Sequence, residues 1–74
     1  MKTAQKLVYM ANQIAANFAH LGEPAAVGAT AEHIARFWDP GMRNKIIQQL
    51  NEPGSTLSAA AAEAVRRLRA GQER

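Results

Sequence analysis

The sequence predicts an all-α fold, a small bundle of three to four short helices. Apolar residues recur at three-and-four spacing, helix-start signals precede several of these stretches, and clusters of turn formers separate them. At 74 residues the chain is expected to form one helical domain, 1–74. Its hydrophobic fraction of 47% overstates the core, because 16 of those 35 residues are Ala. So few large side chains favour completion by a partner subunit or by self-association of the isolated chain.

The first helix is expected from Thr3 to Leu21, with Leu7, Met10, Ala11, Ile14, Phe18 and Leu21 on one face. Ala4, Val8, Ala15 and Ala19 flank that face with small side chains that allow close packing. Tyr9, Ala16 and His20 lie opposite, which makes Tyr9 a candidate contact residue. Gly22-Glu23-Pro24 ends the helix, with Gly22 suited to a left-handed stop and Pro24 to the first turn of the next. The second helix, Ala25 to Trp38, places Val27, Ala31, Ile34 and Trp38 on one face, with Thr30 and Phe37 at its edge. Gly28 weakens it by up to about 1 kcal/mol relative to Ala, and close packing on the small flank of the first helix would explain its presence.

Phe37-Trp38-Asp39-Pro40-Gly41-Met42-Arg43 is where two helices should meet. Asp39 supplies a side-chain oxygen to free backbone N–H groups, and Pro40 at the first helical position has a preset φ and no N–H to satisfy. The third helix is expected to run to Leu50, with Met42, Ile46, Ile47 and Leu50 on one side. Arg43 falls among those apolar positions, where an unpaired charge is costly. Either its stem packs while the guanidinium reaches water or Asp39, or it meets a carboxylate or carbonyl of a partner. Phe37, Trp38, Met42 and Arg43 are therefore candidate partner-binding residues together with Tyr9, with an internal core as the alternative for Phe37, Trp38 and Met42.

Asn51 to Thr56 is a loop rich in turn formers. Ser58 then caps a last helix, Ala59 to Ala70, with a narrow stripe of Ala61, Ala64, Val65 and Leu68. Glu63 supports Arg66 or Arg67 at helical spacing, the arginines suit the negative end of the helix dipole, and Gly71 is expected to end the helix.

The chain has no cysteine, which excludes disulfides, thiolate ligation of iron–sulfur clusters and a thiol nucleophile, and fits a cytoplasmic setting. No stretch is apolar enough for a signal peptide core or a membrane span. His20 and His33 are thirteen residues apart, with no metal-ligand spacing around them, and no glycine-rich phosphate loop is present. No catalytic, cofactor or metal site is expected in this chain. Nine basic and six acidic residues give a net charge of +3 and a pI near 10.0, compatible with an acidic partner surface. A helix–turn–helix reading fits poorly: the third helix starts with Pro40-Gly41-Met42, where a recognition helix presents base-reading polar groups. Nucleic acid is thus a secondary alternative.

Three stretches carry a family resemblance. They are Leu7-Val8-Tyr9-Met10-Ala11-Asn12-Gln13-Ile14-Ala15, Glu32-His33-Ile34-Ala35-Arg36-Phe37-Trp38-Asp39-Pro40-Gly41-Met42-Arg43 and Ala64-Val65-Arg66-Arg67-Leu68. In that order they resemble the small delta subunit of the NAD-dependent, molybdenum- or tungsten-containing formate dehydrogenases. Gly41 departs from the pattern, where a larger, often basic residue is usual. The resemblance implies a cytoplasmic, non-catalytic subunit that binds the large subunit and supports assembly or stability of a complex oxidising formate to carbon dioxide. It places molybdopterin and iron–sulfur clusters in the large subunit and FMN and NAD sites in other partners, with none in this chain. A transient cofactor-insertion chaperone is the alternative role.

Overall fold

The computed structural model describes residues 3–72, which form four α-helices and two short 3-10 turns, with no strand among the described residues. Helix α1 is Thr3–Phe18, α2 is Ala25–Phe37, α3 is Pro40–Gln48 and α4 is Ala59–Gln72. The 3-10 turns, Ala19–Leu21 and Gln49–Asn51, tighten the chain after α1 and α3. Helix α2 lies against both α1 and α4, and α3 closes the bundle by contacting α1 and α4.

The core is built where the apolar stripes converge. Leu7, Val8, Ala11 and Ala15 of α1 meet Ile34 of α2, Ile46 of α3, and Ala61, Val65 and Leu68 of α4. Small residues at Ala11, Ala61 and Ala64 are fully buried, which lets the helix axes approach closely and brings the larger Ile34, Ile46 and Val65 into contact. Thr30 is buried as well, and its hydroxyl donates to the Ala26 carbonyl at 2.7 Å; among the described residues no buried side-chain nitrogen or oxygen lacks a hydrogen-bond partner.

A polar clamp holds the loop before α4. Asn12 donates through Nδ2 to the Thr56 carbonyl at 3.0 Å and accepts from the Ser58 N–H at 2.9 Å, so one carboxamide satisfies two loop backbone groups. Ser58 then starts α4: its Oγ accepts from the Ala61 N–H at 3.2 Å and its carbonyl from the Ala62 N–H at 2.8 Å. The clamp ties the first helix to the start of the last one.

Five local expectations are corrected. Leu21 is 48% exposed and not on the core face, because the switch to a 3-10 turn at Ala19 changes the residues per turn from 3.6 to about 3 and rotates it away. Pro24 stands at the N-cap of α2 and not in its first turn; the Glu23–Pro24 peptide is cis and the helix begins at Ala25. Gly22 has the positive φ expected, 72°, but its ψ of 162° is extended, not left-handed helical. Gly71 does not end α4, which continues to Gln72, where the Gln72 Oε1 accepts from Arg43 Nε at 3.2 Å. Gly28, expected to face α1, instead faces α4: a Cβ there would lie 3.3 Å from Arg67 Nη1.

Candidate partner-binding surface

The junction between α2 and α3 sorts the adjacent aromatics onto opposite sides. Phe37 is the last helical residue of α2 and remains 69% exposed. At Trp38 the backbone turns extended, with φ −93° and ψ 140°, while its N–H still donates to the Ile34 carbonyl at 3.0 Å. That turn directs the indole inward, and Trp38 is only 5% exposed within the core. Of the two roles weighed for the pair, Trp38 takes the core and Phe37 the surface, so the indole itself offers no free contact face. Met42 is partly buried and packs against the same core.

Asp39 and Pro40 fix the start of α3. The Asp39 backbone is extended, and Oδ1 accepts from the Met42 N–H at 2.8 Å, while its carbonyl accepts from the Arg43 N–H at 3.0 Å. Pro40 occupies the first turn, where a missing N–H has no cost. With the helix start fixed, Arg43 points back across the junction.

Arg43 resolves its unusual wheel position within the chain. Its Nη1 donates to the Trp38 carbonyl and, at 3.4 Å, to the Ala35 carbonyl, while Nε donates to Gln72 Oε1 at 3.2 Å. The carbonyls are those left without helical partners at the carboxyl end of α2, where a cation also meets the negative pole of the helix dipole. Arg43 therefore ties the ends of α2 and α4 to α3. Of the contacts within the chain weighed for its guanidinium, Asp39 is not the one made: the group meets the Ala35 and Trp38 carbonyls instead.

The exposed aromatic side chain is not isolated. The Phe37 ring lies 4.8 Å from the His33 ring, centroid to centroid, and His33 makes an edge contact with Phe18 at 6.3 Å. The Arg36 guanidinium carbon sits 6.0 Å from the centre of the Phe37 ring. Phe18, Ala29, Glu32, His33, Arg36 and Phe37 line an open groove on this flank of α2. Tyr9 is also exposed, at 59%, but its hydroxyl accepts from Gln13 Nε2 at 2.8 Å, and no ring contact among the described residues joins it to Phe37. The sequence-level candidates thus separate into an internal pair, Trp38 and Met42; an internal staple, Arg43; and two unconnected surface aromatics, Phe37 and Tyr9.

His33 and Phe18 were missed as members of the patch. The available signal was the spacing of four between His33 and Phe37, which places both on one helix face. The Arg36–Glu32 pair at 3.3 Å and the Arg66–Glu63 pair at 2.7 Å are exposed to solvent, and each contributes at most about 1 kcal/mol. Among the described residues, no three His, Cys, Asp or Glu side chains gather where they could hold a metal ion. No helix among them is long and apolar enough to cross a membrane.

No curated protein and no solved structure matches the chain. The profile of the family described as NADH-dependent formate dehydrogenase delta subunit FdsD matches residues 6–65, a span running from α1 into α4 and including the whole α2–α3 junction. The four-helix body with its Phe37 surface therefore stands on a chain that belongs to the formate dehydrogenase delta subunit family.

Proposed function

We propose that this chain is a non-catalytic accessory subunit that binds the large catalytic subunit of a cytoplasmic NAD-dependent formate dehydrogenase and supports its assembly or stability. The observation that carries the reading is the Phe37 surface on a member of the delta subunit family. Phe37, exposed beside His33, Phe18 and Arg36, leaves apolar area in water that a partner would cover. Aromatic and Arg side chains of this kind dominate binding energy at protein interfaces. Phe37 is favoured over Tyr9 as the anchor because it belongs to a cluster, whereas single exposed aromatics are common on any surface. Formate oxidation, molybdopterin, iron–sulfur, FMN and NAD chemistry fall to the other subunits in this reading.

The test is a pull-down with the tagged chain from its native cells, followed by size exclusion and an assay of formate-dependent NAD reduction. Co-elution with the active enzyme, lost on Phe37→Ser, is the expected result. Binding only to a cofactor-free large subunit would assign the chain to a maturation chaperone role. Recovery of nucleic acid without the enzyme would overturn both.

A further inference from the structure

The second flank of α2 carries a different surface. Between α2 and α4 runs a groove of about 450 Å³, with Ala31, Ala35 and Gly71 as small lining residues and Arg43 and Arg67 as cations. Arg67 lies against the bare backbone of Gly28, since a Cβ there would come within 3.3 Å of its Nη1. Unlike Arg36 and Arg66, Arg67 has no hydrogen bond or ion pair among the described residues. Glu63 stands four residues before Arg67, yet it pairs with Arg66. Arg43, committed through Nε and Nη1 to its own chain, still brings a fixed positive charge to the same groove. The acidic lining residue, Glu32, is paired with Arg36 on the ridge that separates this groove from the Phe37 surface.

We infer that the α2–α4 groove docks an acidic segment of a partner protein, with a carboxylate on the Arg67 guanidinium and the segment's backbone lying over Ala31, Ala35 and Gly71. Charge complementarity supports this occupant. The groove holds two guanidiniums and one carboxylate that is already paired, on a chain of net charge +3. Small side chains on both walls let a backbone approach, and a guanidinium fork matches a carboxylate in a two-point contact. The partner's identity as a formate dehydrogenase subunit rests on the function proposed above; the chemistry of the occupant does not. The chain would then hold its partner on both sides of the Glu32–Arg36 ridge, by an aromatic contact on one and a charged contact on the other.

The primary experiment measures affinity of the full chain for the purified formate dehydrogenase lacking it. Arg67→Glu should weaken binding by about tenfold or more, Arg66→Glu by less than about twofold, and the Arg67 effect should shrink as salt is raised. Circular dichroism confirms folding, and Arg67→Gln replaces the reversal if the latter unfolds. Unchanged affinity of a folded Arg67 variant, with Phe37→Ser still disruptive, would overturn the groove while leaving the subunit reading intact. If the unaltered chain fails to bind the enzyme, the subunit reading falls and the groove is decided by titrating a hexaglutamate peptide onto the isolated chain. Amide NMR shifts focused on Ala31, Ala35 and Gly71, abolished by Arg67→Gln, support it; diffuse or absent shifts overturn it. A dimer of the isolated chain that Arg67→Glu dissolves would give the groove to a second copy and also overturn it.

Discussion

Arg43→Met removes the guanidinium while keeping a flexible apolar stem of similar length. Three hydrogen bonds disappear: to the Trp38 and Ala35 carbonyls and to Gln72 Oε1. A hydrogen bond to a charged group contributes about 1.5–3 kcal/mol when sheltered from water. Only the Trp38 contact is partly buried, so the exposed Ala35 and Gln72 contacts add a few tenths of a kcal/mol at most, roughly as exposed charge contacts do elsewhere. Loss of a cation at the carboxyl end of α2 costs about 0.3–1 kcal/mol more. The expected destabilisation is therefore about 2 kcal/mol. With a urea slope of about 1 kcal/mol/M for a chain this small, the unfolding midpoint should fall by roughly 2 M. Thermal unfolding should shift down by about 8–16 °C. Arg66→Met, which removes an exposed ion pair with Glu63, is the control and should shift the urea midpoint by less than about 0.5 M. Equal midpoints for Arg43→Met and the unaltered chain would refute the assignment of Arg43 as an internal staple.

Three further substitutions probe the packing. Trp38→Ala empties a core site 5% exposed and should cost about 3–5 kcal/mol, enough to abolish a cooperative thermal transition in far-UV circular dichroism, whereas Phe37→Ala should stay within about 0.5 kcal/mol. Asn12→Ala breaks both bonds of the loop clamp; a loss of about 1–2 kcal/mol is expected in urea unfolding, with faster proteolysis between residues 52 and 57. Gly28→Ala should stabilise the chain by about 0.5–1 kcal/mol, because the helix gains propensity and the only obstacle, at 3.3 Å, is the far end of the flexible Arg67. A destabilised Gly28→Ala variant would mean that the guanidinium cannot yield.

The helices were legible because their stripes are regular. All four apolar positions expected to line the last helix, Ala61, Ala64, Val65 and Leu68, are buried. The family was legible too, from three stretches whose order spans most of the chain. What periodicity could not decide was the fate of residues at helix ends. Periodicity places Trp38 on the apolar face and Phe37 at its edge, about 100° away, but it does not show that the helix stops between them and that the backbone at Trp38 turns extended. Leu21 left the core face for the same kind of reason, a change in turn geometry one residue after α1 ends.

Tertiary partners were less legible still. Arg43 has an unfavourable wheel position until the carboxyl end of α2 is placed beside it, and that placement depends on how α3 crosses the bundle. Asn12 reads as a polar interruption of an apolar face, yet it clamps a loop more than forty residues away in sequence. Gly28 signals close approach to α1 in the sequence, and its position facing α4 instead follows from helix packing that no local pattern encodes.

Hydroxyl-radical footprinting of the chain alone and within purified formate dehydrogenase decides whether another subunit covers the Phe37 surface. Oxidation of Phe37 and His33 is predicted to fall severalfold in the complex, with Trp38 weakly reactive in both states because the chain's own core already covers it. A complex in which Phe37 stays as reactive as in the free chain would contradict the account.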